Sequence, residues 1–240
     1  MTTDLDDSQI ESNTSAGFSR REQVVELLVF LFLIVPSMLF SFLAIKQGSV
    51  GFTLTAVSTI ARDLALLSII LFFIWRNREP IVRLGWTFKH GWRDILLGIG
   101  LSIPVFYGAG ILERLLIRVG FTVPSTPTPS FLTISDTAQI VLAVFLVMVV
   151  AVTEETIFRG YLMLRFRGIT GSGAVAVILS AFIFSLGHGY EGSAGVITVG
   201  AMGLVFALVY LWRRSLVAPM MMHFVQDFVS IVVVALLGGG

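Results

Sequence analysis

The sequence predicts an all-α polytopic membrane protein, a bundle of about seven transmembrane helices with a cytoplasmic N-terminus. Three observations carry that prediction. Of 240 residues, 56% are hydrophobic and only 13% charged, and the mean hydropathy is +0.93, far from a soluble domain's balance. Seven apolar stretches each come near the ~20 residues needed to cross a bilayer. Lysine and arginine then divide unevenly between the connections. With the N-terminus inside, twelve basic residues from Arg20 to Arg214 fall on or toward the inner side, against Lys46, Arg62, Arg114 and Arg118 outside. An odd number of crossings places the C-terminus outside.

Composition also narrows the function. A formal net charge of +1 argues for no nucleic-acid partner. The absence of cysteine rules out disulfides, thiol catalysis, iron–sulfur clusters and lipid attachment at Cys. Any histidine chemistry must use His90, His188 or His223.

Taken in order, residues 1–22 form a polar N-terminal tail, rich in Ser, Thr and Asp and expected to be flexible. No short apolar stretch with a small-residue cleavage site follows, so the first hydrophobic run reads as an uncleaved anchor. Residues 23–240 then form a single transmembrane domain, with spans expected near 24–45, 54–75, 94–117, 137–163, 173–190, 195–212 and 216–237. Arg62 and Asp63 interrupt the second span. The simpler expectation is that they snorkel from its outer third; the other is a polar contact inside the bundle. Residues 76–93 mix Trp86, Lys89, His90 and Trp92, which suits an interfacial segment and leaves His90 a headgroup role. Residues 121–136 carry Pro124, Pro127 and Pro129 and read as a surface loop. Asp136 or Ser135 caps the fourth span, with Gln139 placed for a capping box.

Three polar constellations interrupt the later spans. The first is Glu154-Glu155-Thr156-Ile157-Phe158-Arg159-Gly160. Glu155 and Arg159 are four apart with the acid first, the order that favours an intrahelical ion pair. Glu154 lies roughly 100° around the helix, so one carboxylate is buttressed and the other is left free, as a general base requires. The second is Phe184 to His188, where Ala176, Ser180, Phe184 and His188 share one face. Small residues there admit a neighbouring helix, and His188 serves either as an interhelical hydrogen-bonder or in function. The third pairs His223 with Asp227 one turn later, so the acid orients the ring or the pair simply satisfies itself.

These motifs, EExxxR, FxxxH and HxxxD in that order, resemble the CPBP (Abi) family of CAAX-protease and bacteriocin-processing intramembrane proteases, related to the Ras-converting CAAX prenyl endopeptidase. The resemblance covers about residues 94–237. It implies peptide-bond hydrolysis within the membrane, with Glu154 and His188 activating a water. It also implies that His223 and the residue matching Asp227 stabilise the oxyanion. Glu155, Arg159 and Phe184 would support them. The family's third motif often ends in Asn. An ionised Asp227 cannot donate a hydrogen bond, so it is either protonated or acts by holding His223.

No cofactor is expected. The alternative is Zn2+ held by Glu154, His188, His223 and Asp227, although no HExxH helix exists here. The expected partners are a peptide or membrane-protein substrate and the bilayer, in a prokaryotic cell membrane; no oligomeric state is implied. Two other functions share these features: a non-catalytic scaffold or immunity protein on the same fold, and a proton-coupled transporter with a broken helix at Gly187 to Gly203. Depth sets a difficulty for the protease. At 1.5 Å per residue, Glu154 lies about 15 Å, His223 about 11 Å and His188 about 24 Å above the cytoplasmic end of its span. The four site residues are nevertheless expected to share one water-accessible cavity opening toward the cytoplasm.

Overall fold

The computed structural model describes residues 19–47, 51–124, 134 and 136–238. Residues 1–18 of the expected 1–22 tail, Ser135, Pro127 and Pro129 lie outside the described residues, and the rest of that tail, from Arg20, is already helix. Everything described is helix, turn or loop, with no strand among the described residues.

Helix α1 (Arg20–Gln47) starts four residues earlier than the apolar run suggests. Ser19 and Glu22 close a capping box there, with Ser19 N donating to Glu22 Oε2 at 2.7 Å and Glu22 N to Ser19 Oγ at 3.3 Å. Helix α2 (Phe52–Arg76) and α3 (Trp92–Arg118) follow, separated by a 3-10 turn at Ile81–Leu84. Asp136 caps α4 (Thr137–Glu155) through Gln139 N at 2.8 Å. The chain then passes without a break through a π-helical segment, Thr156–Leu162, into α5 (Met163–Thr170). After α6 (Gly173–Leu186) and a short turn come α7 (Gly192–Arg213) and α8 (Val217–Asp227). A second π segment, Phe228–Val233, leads into α9 (Val234–Gly238).

Six of these helical runs are long and apolar enough to cross a membrane: Arg20–Leu43, Phe52–Arg76, Trp92–Arg118, Thr137–Thr170, Gly189–Arg213 and Val217–Leu237. The fifth expected span, 173–190, is shorter than its apolar run suggests. Helix α6 has 14 residues and ends at Leu186, not at 190. It rises about 21 Å, short of the ~30 Å hydrocarbon core. Gly187-His188-Gly189 breaks it, because two glycines around one residue do not sustain a helix.

Two buried clusters order the bundle. In one, Leu27, Phe30 and Ile34 of α1 meet Leu66, Ile70 and Phe73 of α2 around Ile157, Phe158 and Tyr161 of the π segment. In the other, Phe52 and Ala56 of α2 pack with Ala143 and Leu146 of α4 and with Val232. Close approach is needed at two glycines. A Cβ on Gly98 would come within 2.6 Å of Ala218 O, and one on Gly160 within 2.8 Å of Leu84 O. Those contacts seat α3 on α8 and the 3-10 turn on the π segment. Large apolar residues such as Phe32, Phe40, Ile103 and Phe182 point outward, as a lipid-facing surface requires.

The segment 77–91 does more than lie at headgroups. Trp86 Nε1 donates to Thr156 Oγ1 at 3.0 Å, so this indole reaches into the bundle. His90 Nε2 contacts Arg213 O at 3.2 Å, and Arg213 pairs with Asp94 at 2.7 Å. On the same side, Glu26 of α1 accepts from Arg165 Nε at 2.7 Å, Tyr161 OH at 2.9 Å and Asn77 Nδ2 at 2.6 Å. Arg165 also reaches Glu79 at 2.6 Å. This ion network clamps α1, the 77–91 segment and α5 together.

Candidate active site

Glu154 and Glu155 end α4, and the helix widens immediately after them. A π turn carries one extra residue per hydrogen-bonded ring, and such turns recur at functional sites. Arg159 stays one turn from Glu155: its Nη1 lies 2.8 Å from Glu155 Oε1, with Arg159 1% exposed and Glu155 fully buried. The guanidinium sits 4.3 Å from the Phe184 ring centroid and 5.2 Å from that of Phe206. Its Nη2 donates to Gly203 O at 3.4 Å. A charge with no access to water is thus held by a carboxylate, a carbonyl and two aromatic faces.

Glu155 does a second job that helical spacing does not reveal. Its Oε1 also receives His223 Nδ1, at 2.9 Å. An ionised carboxylate only accepts, so Nδ1 carries the hydrogen and Nε2 is the edge turned the other way. At that edge stand Asp227 Oδ2 at 3.4 Å and Glu154 Oε2 at 3.9 Å. Both are longer than good charge-assisted hydrogen bonds, so Nδ1 is the anchored nitrogen and Nε2 the loosely held one. The division between the two glutamates is visible in their contacts. Glu155 is locked to Arg159 and His223, whereas Glu154 has a 16% exposed side chain and a buried Oε2 that accepts no hydrogen bond from the chain.

Glu154, Glu155, Arg159, His223 and Asp227 therefore meet directly. His188 joins them through Phe184. It stands just beyond the end of α6, where its Nδ1 donates to Phe184 O at 3.2 Å. The Phe184 ring lies 4.9 Å from His188 and 6.1 Å from His223, and it packs edge-on to Phe158 at 5.0 Å. His188 thus belongs to the α6–α7 turn, at the end of the bundle opposite the Glu26 clamp. The difference in depth read from the sequence persists as this one-ring separation.

Arg62 and Asp63 do not snorkel together. Phe52, Ala56, Asp63, Leu66 and Ile70 form the buried face of α2, so Asp63 points at α4 and is 1% exposed. The signal was present as the spacing of seven between Ala56, Asp63 and Ile70, which keeps them on one face. Arg62 Nε donates to Asp63 Oδ1 at 2.8 Å, and Nη1 to Ser41 Oγ at 3.3 Å. As for a metal, among the described residues no three His, Asp or Glu side chains are arranged to hold one.

Three motifs on one set of touching helices, with a free glutamate beside an anchored histidine, can be compared with known families. Residues 136–229 match the family model described as Type II CAAX prenyl endopeptidase Rce1-like. That segment is Rce1-like. It runs from the cap of α4 into the second π segment, and so contains Glu154, Glu155, Arg159, Phe184, His188, His223 and Asp227. The match agrees with the resemblance carried by the motifs over a narrower range, since α3 lies outside it. No curated protein and no solved structure matches the chain.

Proposed function

We propose that the chain is an intramembrane endopeptidase of the CAAX type in which Glu154 activates the attacking water. The observation that carries this reading is the Glu154–His223 juxtaposition inside the Rce1-like segment. Glu154 Oε2 is a buried carboxylate oxygen with no donor from the chain, the position from which a base takes a proton. The water's proton passes to Glu154 and its oxygen bonds to the scissile carbonyl carbon. The carbonyl electrons move onto oxygen, and the protonated His223 ring, with Glu155 accepting at Nδ1, donates from Nε2 to that oxyanion. Collapse expels the amine, which takes the proton back from Glu154.

The remaining residues position these two. Glu155 and Arg159 fix His223 and keep the dry interior electrically balanced. Asp227, 3.4 Å from Nε2, stabilises the positive charge of the ring and gives up the Nε2 hydrogen when the oxyanion forms, and Phe184 spaces the rings. His188, its Nδ1 engaged by Phe184 O, offers Nε2 to the water or the leaving group. This mechanism uses no metal, and the chelator arm of the test below decides that choice.

The test is cleavage of a quenched CAAX peptide by purified protein in liposomes. Wild type should cleave it, and Glu154→Gln should lower kcat by about 10³-fold, within the range of a lost general base. A chelator should leave wild-type activity unchanged. Activity lost to the chelator and restored by zinc would overturn the metal-free mechanism, and an active Glu154→Gln protein would overturn the role of Glu154.

A further inference from the structure

Two arginines within the spans, Arg159 and Arg62, are held differently. Arg159 is enclosed, with both terminal nitrogens bonded inside the bundle. The Arg62 side chain is 28% exposed, at a depth where a cation in contact with lipid is costly. Its Nε and Nη2 both go to the single oxygen Oδ1 of Asp63, each at 2.8 Å, and Nη1 goes to Ser41 Oγ at 3.3 Å. A guanidinium has five N–H groups. Those contacts use three, leaving one on each terminal nitrogen, the pair that grips a carboxylate end-on.

The packing of α2 on α4 sets the level of this group. Ala56 clusters with Ala143 and Leu146, while Leu66 and Ile70 cluster with Ile157, Phe158 and Tyr161. The helices run parallel, so Asp63, between those layers, stands level with the residues just before and at Glu154. Arg62, about 100° further round, occupies the flank of α2 facing Ser41 of α1. Asp63 is a poor design for stability alone: its Oδ2 is buried and accepts nothing from the chain. Its one engaged oxygen orients the guanidinium and leaves the outer edge of the fork available.

We propose that Arg62 binds a substrate carboxylate, the free C-terminus of a peptide whose scissile bond lies at Glu154. This rests on the protease reading above. Three extended residues reach about 10 Å, enough to join a carboxylate at one helix to a carbonyl at its neighbour. A carboxylate entering the bilayer needs a cation, and Arg62 is the arginine of the two with N–H groups to give. Asp63 and Ser41 preset the fork, so binding requires little reordering.

Two quenched prenylated CAAX peptides, identical except that one ends in a free acid and the other in an amide, test this. Their binding to the Glu154→Gln protein in nanodiscs reads recognition without cleavage, and their cleavage by wild type reads KM and kcat separately. The acid should bind about 10- to 100-fold more tightly than the amide, the range of a hydrogen-bonded charge. Arg62→Gln should remove that preference by raising KM for the acid alone, and Arg62→Lys should keep part of it. If Arg62→Gln fails to fold with Asp63 unpaired, Arg62→Gln/Asp63→Asn removes both charges and reads the same preference. Equal binding of acid and amide to the parent protein, or binding of neither, overturns the proposal. So does an equal fall in kcat on both peptides in Arg62→Gln, which would make Arg62 a positioning residue for Glu154. Acid-selective binding with no cleavage by wild type would instead sink the protease reading and leave the carboxylate site standing.

Discussion

Two buried charge clusters sit about three turns apart on the same continuous helix, and their hydrogen bonding differs in kind. At the clamp, each carboxylate oxygen has a partner. Glu26 receives Arg165 and Tyr161 on Oε1 and Asn77 on Oε2, and Glu79 takes Arg165 on both oxygens and Arg83 on Oε2. At the proposed active site, one oxygen each of Glu154, Glu155 and Asp63 is buried with no donor from the chain. Leaving such an atom unpaired costs about 1–3 kcal/mol, so a cluster kept only for stability would not retain three. Between these two clusters, the saturated one holds the bundle and the unsaturated one has atoms for a water or substrate to meet; elsewhere Asp94 Oδ2, beside Arg213, is likewise buried without a donor from the chain.

That contrast can be broken by experiment, and the largest separation should come from its two extremes. Glu154→Gln should lose about 10³-fold in kcat with an unchanged melting temperature, because its unpartnered oxygen strands nothing when altered. A clear fall in thermal stability would show that Glu154 is part of the joint. Arg165→Met should do the reverse, destabilising by about 3 kcal/mol, since Glu26 and Glu79 lose the buried cation they share and keep only the more exposed Arg76 and Arg83 as charged partners. Activity per folded molecule should stay close to wild type, and unfolding titrations run beside the peptide assay would read both quantities.

Glu155→Gln falls between them. It weakens the hold on Arg159 and on His223 together, so stability should drop by about 2 kcal/mol and kcat by about 10²-fold. If Glu154→Gln and Glu155→Gln behave alike in both measurements, the division between the two glutamates is wrong. Asp227→Asn should have the smallest effect, within about tenfold in kcat, because an amide oxygen still accepts from His223 and only the charge assistance is lost. A loss as deep as that of Glu154→Gln would instead place Asp227 in direct contact with the reacting atoms.

Much was legible without coordinates. Length and apolarity locate the spans, because a bilayer of fixed thickness demands a fixed run of residues. The cap at Asp136 and the pairing of Glu155 with Arg159 follow from spacing along one chain segment, since side chains three or four apart on a helix must be neighbours. The three motifs, with their shared order, identify the family segment. Tertiary structure alone decided which faces meet. His223 finds Glu155 across 68 positions, Trp86 finds Thr156 across 70, and Arg165 finds Glu26 across 139. Periodicity says which residues share a face and is silent on what that face touches. In lipid, apolarity does not choose the partner either, because a hydrocarbon surround is as apolar as the helix. The inward turn of Asp63, the removal of His188 to a turn behind Phe184, and the π segments after Glu155 and Asp227 were settled by that packing. A one-residue shift in a hydrogen-bond ladder leaves no mark in composition, and a buried charge takes its direction from whichever neighbour can satisfy it.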